Sequence, residues 1–185
     1  MRMTNPLNKI FHVKKRLPEQ VFKTPFFGFI CEDFDNTMSA DFWDFLLHPL
    51  TKSFNDNHVL IAVLDPDPKD YFYSNFGYYN MLNLPATATG AQYLKSLATG
   101  PLESPADAIL YNSETIVWVP SGGRWAIWGQ REYEICILAF ADEQAMNLAQ
   151  SFLNNNWKTA DKALNSFVLK HVPKNFVTFF VDNYL

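Results

Sequence analysis

The chain reads as an α+β protein, an antiparallel β-meander sheet with helices packed mainly on one face. Three observations predict this. Between residues 108 and 140, four short apolar segments (108–111, 115–119, 125–128 and 133–140) are separated only by Asn112-Ser113-Glu114, Ser121-Gly122-Gly123 and Gly129-Gln130-Arg131. Connections that short make hairpins and cannot hold the crossovers that parallel neighbours require. Two further runs, 26–31 and 58–65, are continuously apolar and short, as buried strands are. The last third changes to a helical period, with apolar stripes built to lie on a sheet.

Taken in order, the strand at 26–31 follows Pro25 and ends in acids. Ser39 can cap a helix that carries Phe42, Phe45, Leu46 and Leu50 on one face. Pro49 should end or kink that helix, since its ring removes a donor and clashes with the preceding turn. Residues 58–65 (HVLIAVLD) form the strongest central strand, stopped by Pro66 and Pro68. From 71 to 84 the chain is crowded with Tyr71, Phe72, Tyr73, Phe76, Tyr78 and Tyr79, in a period that favours neither helix nor strand. A short helix at 91–98 is closed by Gly100 and Pro101. Asp142 can cap a helix bearing Ala145, Leu148, Ala149, Phe152 and Leu153. Thr159 can cap another, with Ala160, Ala163, Leu164, Phe167, Val168 and His171 along one face until Pro173. Residues 176–184 fit a helix through Phe176, Val177, Phe180, Val181 and Tyr184, with a strand as the alternative.

The 185 residues suit one domain over 1–185, and 48% hydrophobic against 18% charged residues is ordinary for a folded protein. The aromatic share is not ordinary: 17 Phe, 8 Tyr and 5 Trp fill a core easily, and any surplus makes adhesive surface. A net charge of −4 opposes nucleic-acid binding. The one basic cluster, Lys14, Lys15 and Arg16 with Lys9 and Lys23 nearby, reads as a solvated edge. Residues 1–15 lack the apolar core of a signal peptide, and no stretch approaches the ~20 apolar residues of a membrane span. A soluble cytoplasmic protein, bacterial in type, is the expectation, with neither nucleic acid nor membrane as partner. Cys31 and Cys136 both lie in apolar runs and read as reduced core thiols; a disulfide between them requires neighbouring strands.

Two sets of residues could carry chemistry. The first is the 118–128 hairpin with the 129–134 stretch after it. If the turn is Ser121 to Gly123, Trp118 and Trp128 share a face; if it is Gly122-Gly123 alone, Trp118 joins Trp125. In either register tryptophans project from both faces. With Arg124, Arg131 and Glu132 beside Trp118, Trp125 and Trp128, the expectation is an exposed partner-binding patch of the composition found in interface hot spots. The second set is acidic. Both buried-looking strands end in carboxylates, Glu32, Asp33 and Asp35 after one, Asp65, Asp67 and Asp70 after the other. Side by side and parallel, these strands could gather Asp33, Asp35, Asp65 and Asp67 around a hard cation for hydrolysis.

The Ser121-Gly122-Gly123-Arg124 turn offers backbone donors to an anion but lacks the frame of a P-loop. His12, His48, His58 and His171 show no ligand spacing. No nucleophile elbow and no dinucleotide fingerprint is present, so no cofactor is implied.

The segment Pro120-Ser-Gly-Gly-Arg-Trp-Ala-Ile-Trp-Gly-Gln-Arg-Glu-Tyr-Glu-Ile135 resembles segments of small bacterial proteins, some of them similar to immunity proteins that neutralise a cognate toxin. The resemblance covers about a tenth of the chain and carries over no catalytic residue. It implies a non-catalytic, stoichiometric binder of a partner protein, a toxin in the case of the immunity proteins. Self-association through the same aromatic face is the other expected use of such a surface, and a metal-dependent hydrolase is the alternative from a different class.

Overall fold

The computed structural model describes residues 5–166, 172 and 174–185. Six strands, β1 (Gly28–Asp33), β2 (His58–Asp65), β3 (Met81–Pro85), β4 (Thr115–Pro120), β5 (Trp125–Gln130) and β6 (Ile135–Phe140), make one open sheet in the order β1-β6-β5-β4-β2-β3. Every neighbouring pair is antiparallel, and β4-β5-β6 is the predicted meander. The expected strand at 108–111 is instead a turn after a 3-10 segment, Pro105–Asp107. Its backbone donors are spent locally, Tyr111 and Asn112 on the Ala108 carbonyl and Leu110 on that of Leu97. Ile109 reaches the core without sheet pairing.

Helices α1 (Asn5–Ile10), α2 (Ala40–Phe42), α3 (His48–Ser53), α4 (Ser74–Phe76), α5 (Gly90–Leu97), α6 (Glu143–Ala149), α7 (Ala160–Ser166) and α8 (Lys174–Tyr184) complete the fold. Most of them, α2 to α6, gather on one face of the sheet, where Ile61, Trp118, Trp125, Ile127 and Leu138 meet Phe42, Tyr93 and Ala149. On the second face α1, α7 and α8 seal Val117, Trp128, Ile135 and Ile137 beneath Leu7, Phe11, Ala163 and Phe180. The sheet is therefore apolar on both sides, and β4, β5 and β6 are buried at every position.

The caps fall where the side chains allow. Ser39 accepts from the Phe42 amide at 3.2 Å, Asp142 from that of Ala145 at 2.9 Å, and Thr89 with Gln92 forms a capping box for α5. The break expected at Pro49 takes the form of a π turn, Trp43–Leu47, which runs without interruption into α3, with Pro49 as its second residue. The crowded 71–84 stretch divides into a π turn (Pro68–Tyr73), α4 and β3, which is why one period could not fit it. Residues 176–184 are helical, within α8. In α7, Ala160 and Ala163 are buried as the stripe requires; Phe167, Val168 and His171 lie outside the described residues.

The two cysteines occupy neighbouring strands after all. Cys31 stands opposite Ile137, and Cys136 opposite Glu32, one register step apart. Alternation along a strand then sends the thiols to opposite faces, Cys31 into one core and Cys136 into the other, and both are free.

Candidate functional site

The hairpin takes the shorter-turn register, with Trp118 opposite Ile127. Trp118 and Trp125 share one face and Trp128 lies on the other, but all three indoles have no solvent exposure. The expectation of an exposed tryptophan patch is corrected here. It assumed one wet face, and helices cover both. Trp118 Nε1 donates to the Tyr93 hydroxyl at 3.2 Å, and Tyr93 donates to the Thr37 carbonyl at 2.7 Å. Trp128 packs against Phe11, ring centres 5.6 Å apart.

The flanking arginines serve other rings. Arg124 lies over Phe54 at 5.5 Å and pairs with Asp142 at 2.9 Å. Arg131 lies over Phe34 at 4.6 Å and donates to the Ser113 and Leu110 carbonyls. Of the six predicted contact residues only Glu132 is exposed.

The turn between β4 and β5 does cradle an anion, and the anion belongs to this chain. The buried Asp56 carboxylate accepts from the Gly122 amide and, at 3.2 Å, from the Ser121 hydroxyl. The Trp125 indole lies close enough to favour the same charge, yet neither its N–H nor Asp56 Oδ2 closes a hydrogen bond among the described residues.

The four predicted metal ligands are not brought together. Strands β1 and β2 run the same way, but β6, β5 and β4 stand between them. Asp33, Ile135, Gln130, Thr115 and Asp65 form one row across the sheet end. At about 4.8 Å per strand the two carboxylates are roughly 19 Å apart. Asp35 lies 3.9 Å from Arg131, Asp65 pairs with Arg16 at 3.5 Å, and Asp67 caps the π turn through the Lys69 and Asp70 amides. Among the described residues no three His, Cys, Asp or Glu side chains gather in a metal-binding group.

Among the described residues, five of the eleven exposed large apolar or tyrosine side chains lie on two segments, 67–80 and 101–112; Phe27, Phe45, Leu148, Val177, Phe179 and Leu185 are exposed elsewhere. Tyr71 is 37% exposed, Tyr73 50%, Tyr78 39%, Tyr111 63% and Leu102 96%. These segments are fastened to each other by Asp107. Its carboxylate accepts from the Tyr71 hydroxyl at 2.9 Å, the Ser104 hydroxyl at 2.6 Å and the Asn112 amide, and its carbonyl lies 3.5 Å from the Asn80 amide.

Burial pushes the Asp107 carboxyl up, but the three bonds outweigh it and hold it below its ordinary value. The Tyr71 phenol is raised, first by its bond to Asp107. The phenol of Tyr78 is raised by burial and then by the charges of Asp107 and Glu103. Tyr73 stacks on Tyr79 with ring centres 4.9 Å apart. The result is a set of half-exposed rings on a pinned scaffold with acids around it. The crowd of rings at 71–79 is visible in the sequence. Leu102, Tyr111 and the hub at Asp107 carry no local signal.

Comparison of the chain with protein-family models, with curated proteins and with solved structures finds no match. Fold and surface define an α+β protein with one open antiparallel sheet, rich in aromatic residues. Among the described residues no helix is long and apolar enough to cross a membrane.

Proposed function

We propose that this chain is a non-catalytic protein-binding module, immunity-like in that it neutralises the protein it captures, and that the tyrosine surface around Asp107 is its docking face. One observation carries the reading: Tyr71, Tyr73, Tyr78, Tyr111 and Leu102 are exposed together on two segments that a single buried carboxylate ties down. Tyrosine contributes large contact area at low entropic cost, and rings already held in place lose little freedom on binding. Asp67, Asp70 and Glu103 outnumber Lys69, the cation on the same segments, and the net negative sign suits a basic partner surface and speeds its approach.

The test compares capture by the native chain and by a Tyr73→Ala/Tyr111→Ala double variant, both immobilised in cell extract at low salt. Both substituted rings are exposed, so the variant should keep its melting temperature. The expected result is a basic protein retained by the native chain and lost from the variant. Equal retention by both rejects this face. Light scattering over a concentration series covers self-association, which would replace the proposal if the native chain dimerises and the variant does not.

A further inference from the structure

A cleft of about 350 Å³ lies beside the edge strand β1. Glu32 of β1 is 2% exposed and forms its floor. One wall is the helix begun by Ser39, which contributes Phe42, Phe45 and Leu46. The other is the 152–157 loop, which contributes Phe152 and Trp157.

The loop is built to stay there. Lys158 and Cys31 exchange both backbone hydrogen bonds, at 2.7 and 2.9 Å, so the chain adds one residue of pairing to β1 and brings Trp157 beside Glu32. Asn154 folds the loop through its side chain, which accepts from the Asn156 amide at 2.9 Å. The Glu32 carboxylate is oriented by the Asp33 amide and the Asn36 side chain, each at 3.0 Å on Oε1. Phe45 is 68% exposed at the rim, where its ring face is open to whatever enters the cleft.

The lining has a definite sign. Glu32 and Asp41 are its ionisable groups, and no lysine, arginine or histidine lines it. The charge of Lys158 reaches Glu32 but is the weakest of the influences on it. Aromatic faces attract cations through their quadrupoles, most strongly where water is excluded, and a carboxylate at the end of such a slot supplies the opposite charge. The volume is at the small end of ligand pockets, about 300–1,000 Å³.

We infer that this cleft binds a small organic cation, a guanidinium or alkylammonium, with its charged head on Glu32 and its stem between Phe45 and Trp157. The site is separate from the tyrosine surface and does not depend on the function proposed for it.

The test is a titration of the full chain, at neutral pH and moderate salt, read by NMR on the Trp157 indole N–H. Agmatine is the free-guanidinium probe, an N-acetyl Gly-Arg-Gly amide the peptide-borne one, and methyl glucoside the neutral control. Saturable binding of either cation, with the sugar silent, supports the inference, and preference for the peptide assigns the cation to an arginine of a protein partner. Glu32→Gln and Phe45→Ala should each weaken binding at least tenfold. Because Phe45 is exposed, its variant stays folded even if the Glu32 variant does not. No cation binding, equal binding of the sugar, or undiminished binding by Phe45→Ala overturns the inference.

Discussion

Tyr71 donates its phenol proton to Asp107 at 2.9 Å, and this bond between residues thirty-six positions apart joins two surface segments. A carboxylate with three side-chain donors is worth more than any one bond, since removing it leaves those donors without their acceptor. Asp107→Ala should cost about 1–3 kcal/mol and should loosen 67–80 and 101–112 before the rest of the chain. Limited proteolysis would then cut these segments faster while far-UV circular dichroism stays native. Tyr71→Phe, which removes one donor from a shared acceptor, should cost less than Asp107→Ala.

Trp118, Trp125 and Trp128 are core residues, so truncating them should unfold the protein rather than silence a surface. Each change to alanine is expected to cost about 3–5 kcal/mol, read as a lower midpoint in chemical denaturation. Trp157 is the only one of the five tryptophans that is not fully buried. Acrylamide should quench only a minor part of native emission, and Trp157→Phe should remove that part. Strong quenching that survives Trp157→Phe would contradict the burial of the hairpin.

The sheet was largely legible in the sequence and the hairpin's role was not, for the same physical reason. Strand existence depends on local pattern, and residues 58–65 and the meander turns carry it plainly. Whether Trp128 meets water depends on what covers the second face. That is decided by Leu7, Phe11, Ala163 and Phe180, residues far away in sequence with no marked relation to the hairpin. The separation of Asp33 from Asp65 is equally non-local, because strand order is set by the connections and not by the strands themselves. Residues 108–111 misled by composition: an apolar run can be buried as a turn when its backbone partners are close at hand.

Both thiols should be chemically silent in the native state. Burial pushes the Cys31 and Cys136 thiols well above their ordinary range, which starves them of thiolate. Ellman's reagent should react with neither until denaturant is added, and then with both. Mild oxidants should form no intramolecular bond, because the side chains leave opposite faces of the sheet. A native-state disulfide detected by mass spectrometry would refute the register of β1 on β6.

The β4–β5 turn should tolerate little change. A Cβ on Gly122 would come within 2.7 Å of Asp56 Oδ1, and Gly123 has a positive φ of 67°. Gly122→Ala must displace the carboxylate from the turn it fastens, at an expected cost of about 1–3 kcal/mol. Ser121→Ala removes one donor to Asp56 and one acceptor for the Asn57 amide, and about 1 kcal/mol should be lost. Thermal melts of the two variants give the order directly, with Gly122→Ala the lower.

Glu32 should leave a signature in the pH dependence of stability. Burial raises its carboxyl above the ordinary 4.5; the Asp33 amide and the Asn36 bond offset part of this, the Asp33 charge adds to it and Lys158 opposes it. With the folded value above the unfolded one, the folded chain holds the proton more tightly. The charged form therefore costs stability in full above the folded value, and that cost fades as pH falls toward the unfolded value. Glu32→Gln removes the cost. The variant should be more stable than the native chain at neutral pH and nearly equal to it at acid pH, as read by urea denaturation at each pH. An organic cation in the cleft should narrow the neutral-pH gap, since it stabilises the charged carboxylate and has nothing to pair with in the variant. A gap independent of both pH and agmatine would mean that Glu32 acts only through packing.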